Sequence, residues 1–182
     1  NLWLINTHNG IKGVKPRINI NEYSAVKAYL DQHWDKISKR ADKGDTPYNL
    51  RNCAYMEDFY KPKIVWGNLN LSAAYSIAAD GIFVNAPCPM IVPASKYLLA
   101  ILNSKVADYY IRQLGVTRNS GYFEYKPMFV ENLPVPNNID CKTIEYLEAC
   151  VNSKDESSID KLVYNLYKLT DDEIRYIEKG RS

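Results

Sequence analysis

The sequence predicts an α+β fold: a mixed β-sheet body with packed helices, followed by a small helical C-terminal piece. Short apolar runs typical of strands are scattered over residues 2–130, and a strongly amphipathic segment lies among them at residues 95–113. After a proline-rich link at residues 133–138, the apolar spacing is helical to the end of the chain. We therefore expect a body of residues 1–136 and a helical extension of residues 137–182, within one compact unit.

The body is predicted to begin with a strand and a helix. Residues 2–5 are apolar and precede the turn dipeptide Asn9-Gly10, which is typical of a strand that ends in a turn. Asn21 can cap a helix in which side chains of one face recur at i, i+3, i+4, i+7 and i+11. These positions are Val26, Tyr29, Leu30, His33 and Ile37. Gly44 is the predicted end of this basic-ended helix.

Short strands and one long helix are predicted for the rest of the body. Residues 45–60 show no clear periodicity and are predicted to be a loop. Apolar runs predict strands at residues 63–66, 74–77, 82–84 and 90–92, with a turn at residues 80–81. A wide apolar face predicts a helix over residues 95–113, and Gly115 ends it. Residues 122–130 are strand-like, with Pro127 indicating an edge or a bend.

Three helices are predicted for the extension. The first covers residues 143–152, and the second carries apolar residues at helical spacing over residues 159–166. Thr170 and Glu173 have the spacing of a capping box, which opens the third helix.

Length and composition exclude several classes of protein. With 182 residues, 46% apolar and 24% charged, the chain suits about one globular domain and not a disordered segment. No apolar run approaches the roughly 18 residues of a membrane helix, and residues 1–10 lack the features of a signal peptide. We expect a cytoplasmic protein without a membrane partner. Because the chain starts without Met in a strand-like run, we also expect a fragment of a larger protein.

Cysteine and histidine positions do not favour a metal site. The four cysteines form no C-x-x-C pair, and the chain has only two histidines, so a structural zinc site is not expected. We expect free buried thiols in a reducing cytoplasm. His33 lies on the apolar face of its predicted helix and is predicted to be at least partly buried, whereas His8 is predicted to be exposed. The cysteines are Cys53, Cys88, Cys141 and Cys150.

The charge of each segment is more informative than the net charge, and the type of aromatic residue is more informative than the aromatic total. The net charge of +2 is the sum of three unlike segments. Residues 1–67 carry +4 (11 basic, 7 acidic), residues 68–136 carry +1 (5 and 4), and residues 137–182 carry −3 (7 and 10). A nucleic-acid surface is therefore expected in the first two segments. Tyr accounts for 15 residues, against 3 Trp and 4 Phe, and this excess suits an interface as well as a core.

Two basic patches and one polar loop are candidate DNA contacts. Each patch can neutralise phosphates, or can be an ordinary solvated surface. The patches are Lys12, Lys15 and Arg17, and Lys36, Lys39, Arg40 and Lys43. The loop over residues 115–122 offers Arg118 for guanine, Asn119 for adenine and Tyr122 for stacking or for a phosphate contact, although it can also be a plain helix-to-strand connection.

Two weak enzymatic patterns are also present. Residues 85–88, N-A-P-C, distantly resemble the N-P-P-Y loop of amino-methyltransferases, but they lack its aromatic residue and its proline pair. Asp108 followed by Glu124 and Lys126 has the skeleton of a metal-dependent nuclease, in which two carboxylates hold magnesium. Asp108 lies in a predicted helix and E-x-K is a common triplet, so neither pattern predicts catalysis.

Five strings occur in the order found in one known family. They are residues 4–12 (LINTHNGIK), 47–51 (PYNLR), 62–66 (PKIVW), 97–105 (YLLAILNSK) and 129–136 (FVENLPVP). Together they resemble the TaqI-like C-terminal specificity domain, the target-recognition part of adenine-N6 DNA methyltransferases and of type IIG restriction-modification enzymes. The resemblance runs from about residue 2 to residue 136, and the helix followed by NLPVP is its most specific part.

The resemblance implies a function that this chain shares with a larger parent. Residues 1–136 are then the DNA target-recognition body, which grips double-stranded DNA, reads bases largely through the major groove and positions an adenine for another domain. The implied partners are DNA and an N-terminal methyltransferase domain, with or without a nuclease domain, of the same chain. The implied cofactors, S-adenosylmethionine and Mg²⁺ for cleavage, belong to the parent, a site-specific adenine methyltransferase or type II restriction endonuclease. This chain itself is expected to hold no catalytic residue, cofactor or metal.

The predicted DNA-binding residues combine the basic patch, the family-like strings and the loop. Lys12, Arg51 and Lys63 stand in family-like strings, and residues 116–122 are expected to set specificity. The full set is Lys12, Lys15, Arg17, Arg51, Lys63, Thr117, Arg118, Asn119, Ser120 and Tyr122. The alternative is a protein-interaction module of a phage-defence methyltransferase, whose Tyr-rich surfaces contact a partner.

Overall fold

The structure is a computed structural model in which residues 2–180 are described. Its contacts divide the chain into an N-terminal unit, Asn1–Met56, and a C-terminal unit, Glu57–Ser182. Eight helices and five short strands lie in the described part, which confirms the α+β class. The predicted division of the chain at residue 136 stays a prediction.

The N-terminal unit contains two helices, α1 (Ser24–Asp31) and α2 (Trp34–Ile37), after a 3₁₀ turn at Ile20–Glu22. Asn19 caps that turn by accepting a hydrogen bond from the Asn21 N–H at 3.2 Å, so the prediction that Asn21 caps one continuous helix is wrong. The helix is interrupted at His33, whose φ of −111° and ψ of 16° are not helical.

The predicted strand at residues 2–5 is also wrong. A strand needs a ladder partner, and within the described chain these residues pair with no other strand. Leu2 and Trp3 are instead fully exposed.

Hydrogen bonds of buried polar side chains connect distant segments of the N-terminal unit. Its buried residues include the polar side chains of Thr7, His8 and Asn49. The Thr7 hydroxyl donates to the Tyr48 carbonyl at 2.7 Å, and the Asn49 amide donates to the Ile18 carbonyl at 3.0 Å. Residues 7–18 and 45–52 are thereby joined through partners that leave few buried polar groups unpaired.

Both histidines lie where the sequence did not predict them. His8 is only 7% exposed, and its Nδ1 accepts a hydrogen bond from the Gly10 N–H at 3.1 Å. His33 is exposed, because it lies at the break between α1 and α2 and not on a continuous apolar face.

The C-terminal unit contains two small antiparallel sheets. Its strands are β1 (Lys63–Val65), β2 (Leu69–Asn70), β3 (Ser76–Ala78), β4 (Met90–Ile91) and β5 (Phe123–Glu124). One sheet has the order β3-β1-β4, with Ile64 opposite both Ile77 and Ile91, and the other pairs β2 with β5. The described strand pairs are all antiparallel and lie in two separate sheets, so the α+β class holds but the predicted mixed sheet is wrong for this part of the chain.

The strand predictions are confirmed for three of the four apolar runs in residues 63–92. The fourth run, residues 82–84, forms no strand, although the turn before it is present, with Gly81 at φ +75°. Residues 122–130 are strand only in β5. Pro127 begins helix α5 (Pro127–Val130), because its fixed φ and missing N–H suit the first helical position.

The predicted helix over residues 95–113 is two helices. They are α3 (Lys96–Asn103) and α4 (Lys105–Leu114), and Ser104 between them has extended backbone angles. The Ser104 hydroxyl accepts a hydrogen bond from the Ala107 N–H at 3.3 Å, so the serine ends one helix and caps the next.

The three helices of the extension are confirmed as α6 (Cys141–Ser153), α7 (Glu156–Leu166) and α8 (Asp171–Lys179). The capping box is present, since the Thr170 N–H donates to Glu173 at 2.8 Å and the Glu173 N–H donates to Thr170 at 3.4 Å. Helix α6 packs on α3, and α8 packs on α4. The core of the unit therefore includes the contact between the extension and the helices of the body, together with buried residues beside the strands such as Ile64 and Trp66.

The cysteines are free, and only Cys150 is buried. Cys141 is exposed, so the prediction of buried thiols fails there. No helix among residues 2–180 has the length and apolar character needed to cross a bilayer.

Candidate nucleic-acid interface

A tight hairpin loop presents the first predicted basic patch. The Ile11 N–H donates to the Lys15 carbonyl at 2.8 Å, and the Lys15 N–H donates back to Ile11 at 2.9 Å. Gly13 lies near the tip with φ +75°, and Lys12 beside it is exposed. The short closed loop therefore holds the Lys12 backbone in place and leaves its ammonium group in solvent.

A groove of about 900 Å³ runs beside this loop within the N-terminal unit, lined by residues 9–17, Asp45 and residues 52–54. Gly10 is required at its base, because a Cβ there would lie 2.4 Å from the Lys15 carbonyl oxygen. Arg17 forms an exposed ion pair with Asp45 at 3.1 Å. Hydrogen bonds from Asn9 and then Arg17 hold the pKa of Asp45 below its usual value. Three cations and one acid thus face the groove, which suits an anionic ligand.

The second basic patch is not a continuous cationic surface. Arg40 is half-buried and donates to the Asn49 carbonyl at 2.7 Å, so it supports the fold of the N-terminal unit. Lys43 donates to the Ser38 carbonyl at 2.9 Å, while Lys36 and Lys39 are exposed. Arg51 is exposed and pairs with Asp42 at 3.3 Å, which offsets its charge.

Lys63 does not reach the surface. Its side chain is 0% exposed, and its ammonium donates to the Ala79 carbonyl at 2.8 Å. Burial lowers the pKa of Lys63, against the attraction of Asp80. A phosphate cannot approach an ammonium in this position, so the structure removes Lys63 from the candidate contacts.

The loop between α4 and β5 is exposed throughout residues 117–122. The Arg118 N–H donates to the Tyr122 carbonyl at 2.7 Å, and Thr117 forms a bridge with Phe123. Ser120 and Gly121 have φ values of +64° and +75°, so the turn reverses the chain sharply. The predicted residues Thr117, Arg118, Asn119, Ser120 and Tyr122 therefore project together from one closed loop.

One buried carboxylate lies beneath this loop. Glu124 is 3% exposed, and its Oε1 accepts hydrogen bonds from Arg118 Nε at 2.6 Å and from Arg118 Nη2, with Lys126 Nζ at 3.1 Å. Arg118, and then Lys126, hold the pKa of Glu124 below its usual value. In the sequence, Glu124 and Lys126 are recognisable only as an E-x-K triplet. Their separation by two residues places both on the same face of an extended segment, and this spacing is the one sequence feature that indicates their ion pair.

Asp108 is a buried hydrogen-bond acceptor in the interior of the C-terminal unit. It is 0% exposed and accepts hydrogen bonds from the Ala73 N–H at 2.7 Å and the Tyr125 hydroxyl at 2.5 Å. Arg112 pairs with it at 3.1 Å and lies 4.2 Å from the centre of the Phe123 ring.

The nuclease pattern is therefore not supported. Asp108 and Glu124 are each held by their own guanidinium, from Arg112 and Arg118 respectively. Within the described ranges, no group of three His, Cys, Asp or Glu side chains could hold a metal ion.

Tyrosine is used both in the core and on the surface. Tyr75, Tyr125 and Tyr164 are buried. A mainly apolar groove of about 500 Å³ in the C-terminal unit has four further tyrosines in its wall, which are Tyr109, Tyr110, Tyr167 and Tyr176.

The ion pairs of Glu124 predict a pH dependence of stability. Because its folded pKa is lowered, the stabilisation is complete above the unfolded pKa of about 4.3 and is lost as the pH falls through the folded value. We expect the wild-type free energy of unfolding to fall more steeply below that pH than that of Glu124→Gln. Urea denaturation between pH 7 and pH 3 measures both curves. Parallel curves would show that the ion pairs contribute no pH-dependent stability.

A family model described as the TaqI-like C-terminal specificity domain matches residues 11–135, which include the basic hairpin, the exposed loop and Glu124. No curated protein sequence matches the chain significantly.

Proposed function

Because the chain belongs to the family of TaqI-like C-terminal specificity domains, which recognise DNA in restriction-modification enzymes, we propose that it is the target-recognition domain of a type IIG enzyme or adenine-N6 DNA methyltransferase. The match over residues 11–135 carries the proposal, since it covers most of the chain. The domain positions duplex DNA for a catalytic domain of the same protein. We propose a cytoplasmic location with that function.

The two exposed cationic features support different parts of this function. The groove beside the hairpin is lined by Lys12, Lys15 and Arg17. Their positive charges suit contacts with phosphates, which are the same in every DNA sequence. The loop at residues 117–122 offers side chains that distinguish bases, namely Arg118 and Asn119. Arg51 adds a partly compensated charge in the N-terminal unit.

We assign the cofactors to the catalytic domain of the parent protein. We propose that the parent uses S-adenosylmethionine for methyl transfer and Mg²⁺ if it also cleaves. The residues of this chain bind and orient DNA and carry out no chemical step.

Selection of duplexes from a random-sequence library tests the proposal. The chain is expected to enrich a short duplex sequence and to bind it in preference to single-base-pair variants, because base contacts depend on sequence. Equal binding of all duplexes, or none, would contradict a target-recognition function. An interaction module that does not touch DNA would give the second result.

The salt dependence of DNA binding tests whether Lys12 and Arg17 of the groove contact phosphates. We expect Lys12→Ala and Arg17→Ala each to reduce the slope of log K against log[salt] by about 1, without changing the preferred sequence. The measurement is fluorescence anisotropy on one duplex over a series of salt concentrations. The matched control is Lys142→Ala, an exposed lysine on α6, which is expected to leave the slope unchanged. An unchanged slope in either groove variant would exclude that residue as a phosphate contact.

A further inference from the structure

Glu124 is unusual because a buried carboxylate holds two exposed cations. Its side chain is 3% exposed, whereas those of Arg118 and Lys126 are 54% and 42% exposed. Both cations bind the same oxygen, Oε1. The Glu124 carboxylate is therefore held inside the C-terminal unit, and the three side chains together carry a net charge of +1 at the surface.

The contacts of Arg118 leave one edge of its guanidinium open. Nε and Nη2 donate to Glu124, and no hydrogen bond from Nη1 to another part of residues 2–180 is present. A guanidinium is a planar fork with five N–H donors, so the remaining N–H groups of Nη1 and Nη2 lie side by side in one plane. The backbone is held as well, because the Arg118 N–H donates to Tyr122.

We propose that Glu124 is a positioning residue that orients Arg118 to bind a guanine base. The inference rests on the proposed function, since it requires that residues 117–122 face DNA. Guanine presents N7 and O6 in the major groove, two adjacent acceptors that match a pair of parallel N–H donors. Glu124 itself is too deeply buried to contact a base.

The carboxylate favours a base over a phosphate as the ligand. Glu124 lies close to any phosphate bound by Arg118 and Lys126, and its negative charge cancels part of their attraction for that phosphate. A neutral base with two acceptors depends less on net charge, and it gains from a guanidinium that is already fixed. Lys126 compensates the carboxylate and keeps the site cationic for approach to DNA.

A double-mutant cycle on the 182-residue chain tests the inference. The dissociation constants of wild type, Arg118→Ala, Glu124→Gln and the double variant are measured on the selected duplex and on its single-base-pair variants. Arg118→Ala is expected to lose roughly 5- to 150-fold discrimination at one G·C pair. Glu124→Gln is expected to lose discrimination at the same pair, and the double variant to lose no more than Arg118→Ala alone. Glu131→Gln, an exposed residue, controls for the change in net charge.

Three results would overturn the inference. Glu124→Gln could tighten binding to all duplexes equally, as an effect of charge alone. Arg118→Ala could weaken all sequences equally, which would assign it to phosphate and leave DNA recognition standing. If the wild type shows no sequence preference, the proposed function fails and the inference fails with it.

Circular dichroism would reveal whether Glu124→Gln fails to fold, and in that case Arg118→Lys provides a second test. Arg118→Lys keeps the charge but loses the planar fork. We expect it to lose discrimination at the same G·C pair with an unchanged salt slope, and intact discrimination in this variant would also overturn the inference.

Discussion

Asp108→Ala is expected to lower the free energy of unfolding of the C-terminal unit by about 3–5 kcal/mol. The change leaves the Arg112 guanidinium, which is largely buried, without its carboxylate and removes the acceptor of the Ala73 N–H and the Tyr125 hydroxyl. Leaving such groups unpaired is costly because they have already lost their contact with water. Trp66 is buried in this unit, so urea denaturation followed by its fluorescence, in a Trp3→Phe, Trp34→Phe background, measures the change.

The control is Glu145→Ala, which removes an exposed carboxylate from the middle of α6 and is expected to change stability by no more than about 0.5 kcal/mol. If Asp108→Ala were as stable as this control, the hydrogen bonds of Asp108 would not be a structural requirement. A nuclease interpretation of Asp108 would predict that result.

Leu147→Ala is expected to cost about 2–5 kcal/mol in the same unit. Leu147 is 0% exposed on the face of α6 that packs toward the core, and the truncation leaves a cavity that neighbouring side chains fill only in part. Thermal or urea denaturation measures the loss.

The neighbouring residue provides the matched control for Leu147. Tyr146 is 53% exposed, and Tyr146→Ala is expected to cost much less than Leu147→Ala. Equal losses in the two variants would contradict the inward orientation of α6. Together the Asp108 and Leu147 variants test the polar and the apolar parts of one core.

The helices of the extension were predictable because their apolar spacing and caps agree. Thr170 and Glu173 specify the start of α8 locally, and no distant contact is needed to find it. The break at Ser104 was not predictable from periodicity, since the apolar residues of α3 and α4 continue one pattern across it. The strand β2 was missed because Leu69 and Asn70 belong to no apolar run, and its partner β5 lies far along the chain.

The candidate site was only partly predictable for a similar reason. Lys12 and the loop at residues 117–122 lie in polar segments with turn residues, and such segments are exposed in most folds. The burial of Lys63 depends on the carbonyl of Ala79, which the chain brings close only when β1 pairs with β3. The positioning role proposed for Glu124 depends on the burial of its side chain, and sequence spacing does not reveal burial.

Exposure leaves the loop at residues 117–122, to which the proposed function assigns base recognition, open to substitution. Thr117, Asn119 and Tyr122 are exposed and, unlike Ser120, do not have a positive φ, so most substitutions there are expected to change stability by only a few tenths of a kcal/mol. Under the proposed function, new recognition sequences can therefore arise in this loop without passing through unfolded intermediates. Arg118 is the exception, because its partner Glu124 is buried and both would have to change together. We expect natural variation to be free around this pair and coupled within it.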